Sequence, residues 1–426
     1  MLALLLALQA AAPGDSLPRV TLAEALQRSA RLDPNYVAAL GQVDNAAWAR
    51  RSAFAVFILP SVTLGTDATE YKPAFFNFAT LQPEPYSVSA NVTLRYDVFT
   101  GGQKLAELAR SAAALDGAHA NELAQRFATA LFTERDYYGV LAGQELARVA
   151  RDRVRRGEEQ LAVARARVAS GAVSQTDSLQ LRLELARART ALLERELALR
   201  VARLQLGRRV GADGPVDATP LDTVLAPELP ITLADAITRA AAQGPQYRVA
   251  QANERAASAQ FRARLGAFLP RATLQWQRTG FDNKFAPALR SFNALTLSVA
   301  FPLWDNGQRE IALSQARVNR DVARAIRDDM DRAVTHDVTA AYDGYVTARA
   351  STALAAEGAA AARVSFRVQQ SRYSSGATTI LDLVDAQVNL SEAESQFVQA
   401  RYATRLALAG LEAILGRRLF SDKDSQ

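Results

Sequence analysis

The side chains that most often make or break bonds are scarce in this chain. It has no cysteine and two histidines, His119 and His336. The first absence excludes disulfides, thiolate nucleophiles, Cys-ligated zinc and a lipid carried on an N-terminal cysteine. Two histidines in separate helical runs exclude a multi-histidine metal site within one chain, and both read as ordinary surface residues. No Gly-rich phosphate loop, paired histidine ligands or nucleophile–base set occurs. No catalytic residue, cofactor or metal is therefore expected, and the chain does not read as an enzyme. What remains are acids and hydroxyls near helix starts. Asp382 and Asp385 fall in a first helical turn, where a carboxylate gains about 0.3–1 kcal/mol from the positive end of the dipole. Asp177, preceded by Thr176, reads as a capping acid. Tyr373 taken alone reads as a packing aromatic.

Long helices must carry these residues. All 15 prolines of the 426 residues lie outside two windows, 86–214 and 303–426. Both windows are rich in Ala, Leu, Arg, Glu and Gln, the better helix formers, whereas an interior proline costs about 3 kcal/mol. The 50 basic and 44 acidic residues are interspersed, and the formal charge is +6. That describes a solvated helical surface and not a nucleic-acid footprint. No run of about 20 apolar residues offers a transmembrane helix. Residues 1–12 resemble the apolar core and small-residue end of a secretory signal and are expected to be its remnant.

The chain is written twice. TLAEALQRSARLDPNY at 21–36 answers TLADAITRAAAQGPQY at 232–247, and ILPSVTL at 58–64 answers FLPRATL at 268–274. At an offset of 205, YDVFTGGQ (96–103) pairs with FPLWDNGQ (301–308), ARVASGAVSQTD (166–177) with SRYSSGATTILD (371–382), and Gly211 with Gly416. The expected organisation is a first repeat at 13–210, a linker at 211–231, a second repeat at 232–416 and a tail at 417–426. Each repeat opens with a helix that begins at Thr21 or Thr232, runs past Pro34 or Pro245, and stops before Pro60 or Pro270. Two strands follow, about 61–71 and 86–99, then about 271–281 and 291–304. A helical hairpin closes each repeat, about 102–210 and 307–415, with its turn at Gly171 or Gly376. A first arm of some 68 residues would span roughly 100 Å. On the returning arms, Leu179, Leu183, Ala186, Thr190, Leu193, Leu197, Arg200 and Leu204 form a heptad seam. Val384, Val388, Ser391, Ser395, Val398 and Tyr402 do so in the second copy.

The strands alternate apolar and polar residues with period two. Val88, Ala90, Val92, Leu94 and Tyr96 interleave with Ser87, Ser89, Asn91, Thr93 and Arg95. Residues 71–99 and 276–304 hold 13 of the 31 aromatics. Tyr71, Phe75, Phe76, Phe78, Tyr86, Tyr96 and Phe99 bracket the first pair; Trp276, Phe281, Phe285, Phe292, Phe301 and Trp304 bracket the second. Strands of roughly ten residues with one apolar face and aromatic ends point to a transmembrane β-barrel. Of these aromatics, Tyr71, Tyr86, Phe99, Trp276, Phe281 and Trp304 are expected at the membrane interfaces. Four strands cannot close a barrel, and lipid tolerates no open edge. The chain should therefore oligomerise, three copies giving twelve strands and two or four giving other even numbers. The implied object is a conduit. A peripheral coiled-coil adaptor or scaffold is the alternative, and it predicts the heptads but not the strands.

In these motifs the chain resembles the TolC-type outer-membrane efflux family from Thr21 to about Gly416. TLAEAL with TLADAI, LPSVTL with LPRATL, FTGGQ with WDNGQ, and above all RYSSGATTILDLVDAQ at 372–387 carry the resemblance. It implies a mainly α fold with a β-barrel portion: a homotrimer with a twelve-stranded outer-membrane barrel and a long periplasmic α-barrel. It implies a place in the outer membrane of a diderm bacterium, in contact with outer-membrane lipid. It implies two partners, a periplasmic adaptor (membrane fusion protein) and an inner-membrane pump of the RND or ABC type, and no nucleic acid. The cargo would be drugs, metals or polypeptide, passed through an iris-like periplasmic gate. Carried over by position, Tyr373 matches the gate tyrosine, Asp177 with Thr176 the acidic side of the latch, and Asp382 and Asp385 the ring at the narrowest point. Where the best-studied member has a latch arginine, this chain has Thr378, and the nearest base is Arg372. Gly171, Ser174 and Gly376 would form the adaptor-docking tips.

Overall fold

The computed structural model describes residues 17–78, 81–170, 174–220, 227–283 and 290–420. Residues 1–12, Gly171, Phe285, linker residues 221–226 and tail residues 421–426 lie outside the described residues. In chain order the elements are β1 (Arg19–Val20), α1 (Leu22–Leu32), α2 (Pro34–Ile58), β2 (Ser61–Asn77), β3 (Gln82–Phe99), α3 (Gln103–Ala169) and α4 (Gln175–Val210). Then come β4 (Asp217–Ala218), α5 (Leu233–Gln243), α6 (Pro245–Gly266), β5 (Arg271–Asp282), β6 (Arg290–Ala300), α7 (Gln308–Ser374) and α8 (Ile380–Leu415). The duplication is visible in the bounds. α7 and α8 begin and end 205 residues after α3 and α4.

The opening helix of each repeat is two helices, not the single one expected. Thr21 caps α1 through a reciprocal capping box with Glu24. The chain then leaves helical geometry at Asp33, because the residue before a proline is pushed toward extended backbone. Asp33 caps the next helix in turn: its Oδ1 accepts from the N–H groups of Asn35 and Tyr36 at 3.0 and 3.1 Å, and Pro34 takes the first helical position. Gly244 and Pro245 break the second copy at the corresponding place.

The chain divides into two compact units. The sheet unit holds residues 40–122 and 246–333. Its four strands form one antiparallel sheet in the order β2-β3-β5-β6, so the two repeats join through β3 and β5. The register puts Val62, Leu94, Trp276 and Leu295 in one row, and Thr63, Thr93, Gln277 and Ala294 in the next. Neighbouring rows face opposite ways, so one face is largely apolar and the other largely polar. Among the described residues no helix covers the apolar face: Leu64 is 78% exposed and Leu295 69%. Among the described residues the outer edges of β2 and β6 have no strand partner.

The turn from strand to helix needs glycine. Gly101 has φ +62°, and a Cβ there would sit 2.2 Å from the Gly266 carbonyl oxygen.

The hairpin unit holds residues 17–39, 123–245 and 334–420 of those described. Here β1 and β4 form a short parallel pair that the sequence analysis did not anticipate. Tyrosines of the long helices pin the nearby loop segments. The hydroxyl of Tyr137 donates to the Thr219 carbonyl at 2.7 Å, and that of Tyr342, 205 residues on, donates to the Ile231 carbonyl at 3.2 Å. Buried acids are paired: Asp136 binds Arg209, and Glu134 and Glu412 both bind Arg418.

The two heptad seams part company. The seam of α8 turns inward, with Val384, Ser391 and Val398 buried. The seam of α4 turns outward: Leu179, Leu183, Leu193, Leu197 and Leu204 are exposed. α4 buries Leu181, Leu185, Ala188, Leu199 and Leu206 instead, a stripe two residues, or about 200°, around the helix. A helix apolar on two opposite faces has one face to spare.

Both returning helices end on a left-handed glycine. Gly416 has φ +67°, and a Cβ there would lie 2.8 Å from Pro245. Gly416→Ala is expected to lower the unfolding free energy by about 1–2 kcal/mol, the cost of left-handed backbone for an L-residue. Gly358, in an exposed interior stretch of α7, has open space around it. Gly358→Ala is expected to raise stability by about 0.5–1 kcal/mol. Thermal melts of the two variants check the opposite signs.

Candidate functional site at the hairpin tips and the sheet

The tip of the second hairpin is built by local hydrogen bonding. α7 ends in a Schellman motif, in which the Gly376 N–H donates to Tyr373 O at 3.1 Å and the Ala377 N–H to Arg372 O at 2.8 Å. Gly376 supplies the required positive φ, +77°. Thr379 then caps α8 and forms a capping box with Asp382. Asp382 Oδ2 accepts from the hydroxyls of Thr378 and Thr379, each at 2.7 Å, and from the Thr379 N–H at 3.1 Å. These bonds hold the exposed Asp382 carboxyl below its ordinary value, the Thr378 hydroxyl contributing most. Thr378 therefore serves Asp382. Asp385, one turn on, is exposed and has no hydrogen bond or ion pair among the described residues.

In the first hairpin, Ser174 caps α4 by accepting from the Thr176 N–H at 3.2 Å. Asp177 is the counterpart of Asp382, three residues past its cap, and is half-buried. Burial first, and then Asp177, pushes the Tyr373 hydroxyl above its ordinary pKa, against the opposing pull of Arg167. Tyr373 is buried in the cluster that joins the four long helices near the tips, with Leu161, Leu181, Phe366 and Leu383. Its hydroxyl has no hydrogen-bond partner.

Arg167 is the residue that the sequence analysis missed. Its guanidinium donates to the Tyr373 carbonyl at 2.7 Å and lies over the Tyr373 ring at 5.3 Å. The clamp between the copies thus uses the backbone and the ring face of Tyr373, not its hydroxyl. The signal was present: the 205-residue offset sets Arg167 opposite Arg372.

The expected interface aromatics are spread over the sheet. Tyr71 meets Phe75 edge-on at 4.8 Å. Tyr86 pairs with Glu70, and Phe99 with Ala272, on the apolar face. Trp304, just past β6, is 77% exposed. Trp276 sits in mid-strand, between Leu94 and Leu295, and Phe281 lies opposite Ser89 on the polar face. Among the described residues no group of three His, Cys, Asp or Glu is placed to hold a metal ion. Among the described residues no helix is long and apolar enough to cross a membrane.

Two outcomes are expected at the tips. Arg167→Ala should lower the local opening free energy by about 1.5–3 kcal/mol, the range for a hydrogen bond from a charged group. Tyr373→Phe should not lower it and should raise it by up to about 1 kcal/mol, since the hydroxyl it removes is buried without a partner. Amide exchange around residues 373–383 distinguishes them. Because the folded pKa of Asp382 is depressed, its contribution to the tip is complete above the ordinary value of 3.8 and is lost as pH falls through the lower folded value. Asp382→Asn should abolish that acid-dependent loosening.

The model of the family described as outer membrane efflux protein matches residues 26–212 and 236–417, one stretch in each repeat. The chain is 24% identical to the pyoverdine export outer membrane protein OpmQ of Pseudomonas putida over 378 residues, covering 84% of this chain and 78% of that protein. It superposes on the outer membrane protein VceC of Vibrio cholerae with a TM-score of 0.79, at 18% identity, covering 94% of this chain and 97% of that one. For the CmeC outer membrane channel of Campylobacter jejuni the TM-score is 0.81, at 14% identity, covering 95% and 87%. These structural likenesses show the fold, and the family match covers most of both repeats: the chain belongs to the outer membrane efflux protein family.

Proposed function

We propose that three copies of this chain close into an exit duct through the outer membrane, serving an export machine that includes a periplasmic adaptor and an inner-membrane pump. One observation carries the reading. The four-stranded sheet has an uncovered apolar face and two unpaired edges. Water would expel that face, and hydrocarbon would forbid those edges. Only a lipid surround together with closure by further copies satisfies both. The spare apolar face of α4 supports the same reading. In the same unit α7 exposes Val346, Leu354, Val364 and Val368, and the α4 row of one copy would pack on this α7 row of the next. A peripheral scaffold has no use for such a sheet and is not favoured.

The tips would form the gate and the docking site. Asp382 and Asp385 are both exposed on α8, and three copies would bring six carboxylates around one axis. The hydrogen bonds on Asp382 favour its charged form, so the ring would attract cations at neutral pH. The turn at Gly376 and the cap at Ser174 would accept the helical hairpin of the adaptor. Interface lipid would meet Tyr71, Tyr86, Phe99 and Trp304, with Trp276 deeper in the apolar face.

Mass measurement in detergent is expected to give a trimer, and a stable monomer would overturn the reading. In planar bilayers the closed channel should prefer cations. Asp382→Asn combined with Asp385→Asn should remove the preference without loss of trimer. Full selectivity in that double variant would reduce the two aspartates to helix-start residues.

A further inference from the structure

The sheet unit contains a cavity of about 710 Å³ that the tip chemistry does not use. Its helical side is largely apolar: Ala49, Ala53 and Val56 from α2, Ala263 from α6, and Ala267 just past the end of α6. Its rim is formed by the polar face of β3 and β5 and the first turns of α3. Four cations line the cavity, Arg95 and Arg271 on the sheet, Lys104 on α3 and Arg264 on α6, against two acids, Asp97 and Glu107.

The hydrogen bonding decides which charges are free. Glu107 is taken by Arg110, which donates to both of its carboxylate oxygens at 2.8 and 2.5 Å. Asp97 Oδ1 accepts from the Thr273 hydroxyl at 2.8 Å and lies 3.6 Å from Arg95. Lys104 Nζ donates to the Asp97 carbonyl and sits over the Tyr96 ring. Arg271 gives one N–H to Gln103 Oε1 at 2.8 Å, a neutral partner. The exposed Arg264 guanidinium has no ion pair or hydrogen bond among the described residues. Both acids are engaged, whereas two guanidiniums, Arg264 and Arg271, face the cavity without any carboxylate. Each carries fork-shaped N–H donors suited to a carboxylate, sulfonate or phosphate.

We propose that this cavity is a binding site for organic anions: molecules with one or two anionic groups on a compact apolar body, the charge held by Arg264 and Arg271 and the body laid on the apolar helical side. The polar sheet face that forms the rim is the face a closed barrel would turn to its lumen, so the site would hold anionic cargo on its way through. That last step rests on the duct reading; the binding site itself does not.

The probe is naphthalene-1,5-disulfonate, titrated by calorimetry into the full-length protein in a non-ionic detergent. One molecule should bind per chain, with an affinity that falls as salt rises. Arg264→Gln combined with Arg271→Gln should weaken binding at least tenfold, while Arg264→Lys with Arg271→Lys should recover most of it. Arg290→Gln removes a cation of the same sheet outside the cavity lining and should leave binding unchanged. Absence of binding by the parent protein would overturn the proposal, and so would an equal loss in Arg290→Gln, which would reduce the effect to general charge. The bilayer experiment separates the two readings. A parent that conducts but does not bind the disulfonate keeps the duct and loses the anion site, whereas one that binds but does not conduct keeps the site and loses the duct.

Discussion

A strand edge inside hydrocarbon leaves a row of backbone N–H and C=O groups without partners, each at a cost of several kcal/mol. The rest of this chain can be read as a response to that constraint. Its sheet is too short to close by itself, four strands where closed single-chain barrels begin at about eight. The duplication helps, because β3 of the first repeat pairs with β5 of the second and leaves two free edges per chain instead of four. The free edges belong to β2 and β6. In the proposed trimer, closure through them would make each copy a third of a barrel, and the apolar surfaces left exposed on one chain are those that such a structure would cover.

The same repeat has been put to two uses. α3 with α4 and α7 with α8 agree in length residue for residue at the 205-residue offset. Their chemistry has diverged at matching positions. Asp382 is absorbed into the cap of its own helix, held by two threonine hydroxyls. Asp177, its counterpart, has no such threonine pair and adds, after burial, to the upward shift of the Tyr373 hydroxyl. Arg372 reaches back to the Ala377 carbonyl of its own turn, whereas Arg167 crosses to the other copy. Equal backbones with unequal side chains give a tip that is locked from one side. Arginine can do this at the tip because its planar fork binds a carbonyl while its face covers a ring.

Charge is handled differently within the two units. In the hairpin unit, acids that are buried are paired, as with Asp136, Glu134 and Glu412, since an unpaired buried carboxylate would cost far more than the pair returns. In the sheet unit, cations stand on a polar wall with their carboxylates already taken. Such charge costs little while hydrated, and it remains available to a ligand.

The sequence by itself determined the kinds of element and their repetition. Proline placement, period-two alternation and glycine turns are local, and each follows from backbone sterics or from the reach of one side chain. The capping boxes at Thr21 and Thr379 are legible for the same reason. Tertiary structure alone decided which of two apolar faces α4 would bury, because leucines at 179, 183 and 193 and at 181, 185 and 199 make equally good stripes. It decided that β3 would meet β5, since strand partners far apart in sequence are chosen by the whole sheet. It also decided that Arg167, and not the nearer Arg372, would hold Tyr373. A hydrogen bond between residues 206 apart depends on how two hairpins pack against each other, and no local spacing encodes that.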